Sequence, residues 1–455
     1  MFKLKFHSTN YNSKDVDFKT AILRGQALDN GLYMLNKIPK LSEVTLNSFK
    51  NMDFIEIALF LISKFIGNII PEEKLENIVN NALNFEIPIA KIVNNDYICY
   101  LDRGPTCSFK DFGARMLARI MEYLLEIENK ELLILTATSG DTGGAVAQAF
   151  YEMPRIKVVV LYPKEEISDL QRKQMTTLGK NIMTIGINGK FDDCQSLVKI
   201  AFADKELKHL NLSSANSINF GRLLPQTLYY FWSYSRIVER TTEDILFSVP
   251  SGNFGNLMGG LISYKMGLPV KRFISAVNEN DEFPTFLRTG IYEKIEPSKN
   301  CISNAMNVGH PSNLARIFDL YGGQVKESGK VYKIPNMEEL RKDIISYSIN
   351  DELTKDTIVD FYEKYKKIIE PHGAVGWAAL KVYRNNYPED KNLKSITFET
   401  AHPSKFPNEI ISLINISPEM PNSLKKIWDK NEFISPKVIS NYQDFKNFLL
   451  KEYNN

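Results

Sequence analysis

Lys110 stands between Phe109 and Phe112, at the start of a run whose apolar periodicity over residues 114–125 predicts a helix. Desolvation by aromatic rings and the positive end of a helix both disfavour an ammonium ion. The neutral amine that results is what Schiff-base chemistry with a carbonyl needs. The plainer alternative is a surface lysine whose stem lies over aromatic rings, as most lysines do.

Two further segments have the composition of anion cradles. In LFSVPSGNFGN (246–256) an apolar run breaks into a glycine-rich turn and then into a helix. Such a turn aims several backbone N–H groups at one point, with the helix dipole behind them, and suits a dianionic phosphate. It has neither the Lys-Ser/Thr of a Walker loop nor the G-x-G-x-x-G spacing, so a compact monophosphate is a better ligand than a nucleotide. The segment TATSGDTGG (136–144) repeats the pattern between another apolar run and a small-residue helix. Either turn taken alone is equally an ordinary strand–helix connection, with Ser139 and Asp141 as caps. Together, at the carboxyl ends of strands in one α/β fold, they predict a phosphate and a carboxylate bound side by side.

Elements able to hold these groups follow from the pattern of apolar residues. Up to about residue 87 the periodicity is helical, over 49–65 and again from Pro71 to Leu83. From Tyr97 onward short apolar runs (132–136, 158–162, 182–187, 245–249, 272–277 and 395–398) alternate with helical stretches (143–151, 168–178, 192–207, 222–238, 256–266, 354–369 and 374–387). That alternation predicts βαβ units and parallel sheet. Residues 278–339 are polar and carry no clear period.

Composition narrows the function. Lys plus Arg number 56 against 54 Asp plus Glu, a net charge of +2, so no polyanion footprint points to nucleic acid. The cysteines, Cys99, Cys107, Cys194 and Cys301, form no C-x-x-C pair and no H-x-x-x-H spacing occurs, so neither a disulfide framework nor a metal site is predicted. The greasiest stretch, 54–69, is interrupted by Glu56, Lys64 and Asn68 and is shorter than the roughly 20 apolar residues of a membrane span. Residues 1–10 show no secretory pattern. A cytoplasmic protein with no membrane partner is expected. The sequence assigns no oligomeric state.

Read as a set, these segments resemble threonine synthases, pyridoxal-phosphate enzymes of fold type II. The resemblance rests on SFKDFG (108–113), TSGDTG (138–143) and SGNFG (251–255), with NLSSANSIN (211–219), SNAM (303–306), EPH (370–372) and TAHPSKF (400–406). Arg24-Gly25 and DNGL (29–32) also fit, so it spans nearly the whole chain. The implied architecture is α/β: two open-sheet subdomains with pyridoxal 5′-phosphate in the cleft between them, preceded by a helical N-terminal region. The implied division is 1–90 helical region, 91–410 catalytic core and 411–455 helical extension packing on the core.

By that resemblance Lys110 forms the Schiff base, and Gly252, Asn253, Phe254, Gly255 and Asn256 hold the cofactor phosphate. Thr138, Ser139, Gly140, Asp141 and Thr142 take the substrate α-carboxylate. Thr400 faces the pyridine nitrogen, and a hydroxyl there leaves that nitrogen uncharged, unlike the aspartate of transaminases. Ser214, Asn216, Ser217, Asn219 and Arg222 are candidates for the substrate phosphate, with Lys164 and Arg115 behind them; the plainer reading of Arg222 is a salt bridge early in its helix. The reaction implied is conversion of O-phosphohomoserine and water to threonine and phosphate. A phospholyase releasing 2-oxobutyrate and a non-catalytic cofactor-binding protein are the alternatives. Gly221, Gly373 and Glu399 depart from the family pattern, the last where a small residue is expected; on an extended segment Glu399 and Thr400 face opposite sides.

Overall fold

The apolar runs become strands buried on both faces, as a sheet covered by helices on either side requires. The computed structural model describes residues 4–434, 439 and 441–453; parts of the carboxy-terminal extension and the first three residues lie outside them. Strand Ile245–Pro250 pairs in parallel with Val270–Val277 and with Ser395–Glu399. Outside these lie Ile344–Ser348 on one flank and Asp96–Tyr100 on the other, both parallel, and an antiparallel edge strand, Ile89–Val93, completes a six-stranded sheet. A second sheet is wholly parallel, in the spatial order Ile182–Ile187, Ile156–Pro163, Leu132–Ala137 and Leu212–Ser214.

Ahead of the two sheets the helix Phe54–Ile66 starts at a capping box, Asp53 with Glu56, which satisfies two amides reciprocally. It buries Phe54, Ile57, Ala58, Leu61, Ile62, Phe65 and Ile66. That is the greasiest stretch of the sequence, spent on the core; among the described residues no helix is long and apolar enough to cross a membrane. Glu72–Ala82 follows, opened by Pro71. To this helical region the structure adds a small antiparallel sheet, Lys5–Ser8 between Val16–Asp17 and Tyr33–Leu35. Its strands of two to four residues are too short to show a period.

Two other differences concern helix continuity and the polar stretch. The helix expected over 222–238 is broken into Phe220–Leu223, the 3-10 turn Leu224–Thr227 and Leu228–Ile237. Pro225 lacks the N–H that would continue the α-helical ladder. The polar stretch 278–339 folds into helices Glu282–Thr289 and Leu314–Leu320 with a two-stranded ribbon, Gln324–Val325 and Val331–Lys333. At the far end Tyr442–Tyr453 inserts Phe445, Phe448 and Leu449 into the cluster made by Phe191, Cys194 and Val198.

Candidate active site

Lys110 is the first residue of the helix Lys110–Glu128, with Phe109 in the capping position. Its Nζ lies 4.9 Å from the centre of the Phe109 ring. The expected pair of flanking rings is only half realised. Phe112 turns the other way, packing edge-on against Phe54, Phe85 and Tyr229, because residues two apart on a helix leave on different sides. Burial pushes the Lys110 amine down to about 8; Asp141 opposes the shift, while Lys405 and Arg222 add to it. The side chain is half-buried because it ends in a cleft of about 840 Å³.

Across that cleft the turn 251–254 leads from strand Ile245–Pro250 into helix Gly255–Met266. A helix start leaves its first amides without intrahelical partners, and here Gly252, Asn253, Phe254, Gly255 and Asn256 line the cleft. Phe254 adopts the left-handed conformation, φ 58°, and drives its ring against Phe283 in the core. Gly252 is required by proximity: a Cβ there would lie 2.8 Å from the Ala305 carbonyl oxygen and 3.0 Å from Met306 Cα. Asn256 Oδ1 accepts from Tyr229 and Tyr230, each at 2.8 Å. Its Nδ2 is buried and has no partner among the described residues. An aldehyde-reactive amine on one wall, with an amide turn and an orphan N–H₂ on the other, fits pyridoxal phosphate: a carbonyl to be bonded and a dianion to be held.

The second predicted cradle differs. Asp141, at the start of helix Asp141–Phe150, is paired with the buried Lys405 at 2.5 Å and accepts from Gln171 Nε2 at 3.1 Å. Burial alone would push its carboxyl up, but Lys405 and Lys110 outweigh that and hold it well below the usual carboxylate range. Ser139, Asp141 and Thr142 line the cleft. Thr138 and Gly140 do not, because they fasten the loop from within. Thr138 Oγ1 accepts from the amides of Gly140 and Gly143, and a Cβ on Gly140 would meet Gln171 at 2.6 Å.

Among the phosphate candidates, Asn216, Ser217 and Arg222 reach the cleft, and Ser214 lines the cavity beside it. Asn219 does not: it is fully buried, donates to the carbonyls of Ile22 and Ser214 and caps the next helix through the Gly221 amide. Arg115 is tied to the carbonyls of Asn81 and Ala82, and Lys164 is exposed with its stem over Gly186, so neither lines the cleft. Arg222 has no ion pair among the described residues. It donates through Nη1 to the Ala215 carbonyl, and its buried Nε is unpartnered. Thr400 stands at the cleft wall, and Glu399, as expected of its neighbour, points away. His372, Gln226 and Phe191 also line the cleft, and Lys405 backs it through Asp141. Of these four, His372 and Lys405 lay inside matched segments without any local sign of their role.

Comparison with known proteins agrees with this geometry. Residues 93–397 match the family model "Pyridoxal-phosphate dependent enzyme", residues 5–83 "Threonine synthase N terminus" and residues 373–448 "Threonine synthase, C-terminal". A threonine synthase of Buchnera aphidicola from Acyrthosiphon pisum is 39% identical over 451 residues, covering 99% of this chain and 100% of its own. The chain belongs to the threonine synthase family. The threonine synthase of Escherichia coli K12 is 39% identical over 92% of this chain and 94% of its own length. Its crystal structure superposes with a TM-score of 0.88 at 36% identity, covering 98% of this chain and 99% of that one. The pyridoxal-phosphate-bound threonine synthase of Brucella melitensis gives 0.89 at 29% identity, covering 99% and 100%. Pyridoxal phosphate is thus the cofactor of this chain.

Proposed function

We propose that this threonine synthase converts O-phosphohomoserine and water to threonine and phosphate in the cleft between Lys110 and the turn 251–256, with the residues named above in the following roles. The assignment is carried by the placement of Lys110 on the same cleft as the glycine turn that opens helix Gly255–Met266. Pyridoxal phosphate, when bound, supplies the electron sink for carbanion chemistry at the substrate Cα and Cβ. The amides of Gly252 to Asn256 and Asn256 Nδ2 would hold its phosphate. Lys110 Nζ would hold its carbonyl carbon and, as a free amine, would move protons at the substrate Cα and Cβ.

The substrate α-carboxylate lies at Ser139 and Thr142, at the start of the helix Asp141–Phe150, where first-turn amides favour an anion. The charge of Asp141 opposes an anion there, and Lys405 neutralises it. Arg222, with Asn216 and Ser217, holds the γ-phosphate as it leaves; its place on the cleft lining without an ion pair among the described residues supports this role. Four buried, unpaired cysteines suit a reducing compartment such as the cytoplasm.

Incubation with O-phosphohomoserine and identification of the carbon product tests the reading: threonine is expected, and 2-oxobutyrate alone would make the chain a phospholyase. Arg222→Ala should lower kcat/KM for phosphohomoserine by about 2–4 kcal/mol, roughly 30- to 1,000-fold, with the cofactor still bound. Unchanged turnover would move the phosphate site away from this guanidinium.

A further inference from the structure

Asn313, which caps helix Leu314–Leu320, and Arg316, in its first turn, are fully buried, and neither lines the cleft. Arg316 donates from Nε to the Tyr33 carbonyl at 2.9 Å and from Nη2 to the Ile218 carbonyl at 2.6 Å. Its Nη1 donates to the Ser217 carbonyl at 2.9 Å and to Asn313 Oδ1 at 2.6 Å. Asn313 Nδ2 in turn donates to the Asn253 carbonyl at 2.9 Å and to Ser217 Oγ at 3.1 Å. One buried amide therefore bridges Ser217 and the turn that carries Asn253, both of which line the cleft. The two segments are close there: a Cβ on residue 255 would lie 3.4 Å from Ser217 Cβ.

Both ends of the bridge have fixed polarity. A guanidinium can only donate and a carbonyl can only accept, so the Asn313 amide has a single orientation, Oδ1 toward Arg316 and Nδ2 toward Asn253. Nδ2 can only donate, so Ser217 Oγ is the acceptor in the third contact. Its one hydrogen is thereby kept off Asn313 and has no other acceptor among the described residues, while Ser217 borders both the cleft and the cavity beside it. A phosphate dianion is acceptor-only, and a hydroxyl whose hydrogen is not engaged elsewhere meets it without giving up a bond.

We propose that Asn313, oriented by Arg316, is a positioning residue that commits the Ser217 hydroxyl to donate into the cleft, toward the phosphate of the substrate. This inference rests on the reading that Ser217 contacts that phosphate. Its consequence is that Asn313 affects phosphate binding only through Ser217.

The test compares holoenzymes of Asn313→Ala, Ser217→Ala and the double variant by the inhibition constants of inorganic phosphate and of threonine, which carries no phosphate. Asn313→Ala leaves neither former partner bare, since Arg316 Nη1 keeps the Ser217 carbonyl and the Asn253 carbonyl keeps the Asn313 backbone amide at 3.3 Å. Ser217→Ala deletes a hydrogen bond to an ion and should weaken phosphate inhibition by about 10- to 150-fold. Asn313→Ala only lets the hydroxyl turn away and should weaken it by about 3- to 10-fold, with threonine inhibition unchanged within about twofold. In the Ser217→Ala background, Asn313→Ala should add less than about twofold. A further loss as large as in the wild-type background, or an equal loss for threonine, makes Asn313 merely structural and overturns the proposal. Neutron diffraction from wild-type crystals soaked with phosphate in heavy water reads the same point without a variant. The Ser217 deuteron should lie toward the phosphate, and a deuteron directed at Asn313 overturns the proposal. If Ser217→Ala alone leaves phosphate inhibition unchanged, Ser217 does not touch the phosphate, and the reading beneath the proposal fails instead.

Discussion

The two strand–turn–helix motifs on opposite walls of the cleft have much the same sequence grammar and opposite electrostatics. The turn 252–256 lines the cleft at a helix start and carries an orphan Asn256 Nδ2. The loop 138–142 carries a buried carboxylate of its own, Asp141, clamped by Lys405. One cradle waits for an anion. The other already contains one, made tolerable by a cation from a residue more than 260 positions along the chain, so its capacity for a second anion depends on Lys405. Glycine-rich turns at helix starts are therefore not interchangeable, and a long-range charge decides which kind each one is.

Breaking that difference should have its largest effect at Lys405. Lys405→Met removes one member of a fully buried pair and leaves Asp141 uncompensated, which should cost about 3–5 kcal/mol. Urea unfolding followed by tryptophan fluorescence measures it, and a loss below 1 kcal/mol would show that water reaches Asp141. Adding Asp141→Asn should recover much of the loss, because the buried charge then disappears.

On the opposite wall the parallel substitution is Asn256→Asp, which preserves shape and both tyrosine hydrogen bonds. It sets a carboxylate against the cofactor phosphate, opposing binding by about 1–4 kcal/mol, roughly one to three decades in Kd. Fluorescence titration of apoprotein with pyridoxal phosphate reads the change. Stability of the apoprotein should shift far less than in Lys405→Met, and equal losses of fold in both would erase the distinction between the two cradles.

The smallest effect concerns pH. Burial lowers the Lys110 pKa to about 8, so the reactive neutral amine in apoprotein grows as pH rises through that value. The initial rate of cofactor attachment, trapped with borohydride, should rise to a half-maximum near pH 8. A half-maximum near the 10.4 of an ordinary lysine would mean that the amine is not desolvated.

Much of this was legible in one dimension. The strands over 132–137, 182–187 and 245–250 announced themselves because strands buried on both faces must be apolar throughout. The schemes for Lys110 and for the turn 251–256 were local, since a helix start and a glycine turn are made by neighbours in sequence. Three short N-terminal strands and the interior of 278–339 were not legible, because their pairing partners, not their composition, make them regular.

Residue types and local pattern specify the set of groups a pyridoxal-phosphate enzyme needs and the order of the elements that carry them. Which of those groups face the cleft is set by long-range packing. It turned Phe112, Thr138 and Asn219 inward to packing and capping, brought Lys405 to Asp141, and seated Glu399 in the space left by Gly373. The reason is physical. A residue's type sets which bonds it can make, but whether a donor or a charge remains free depends on partners that folding brings in from distant parts of the chain.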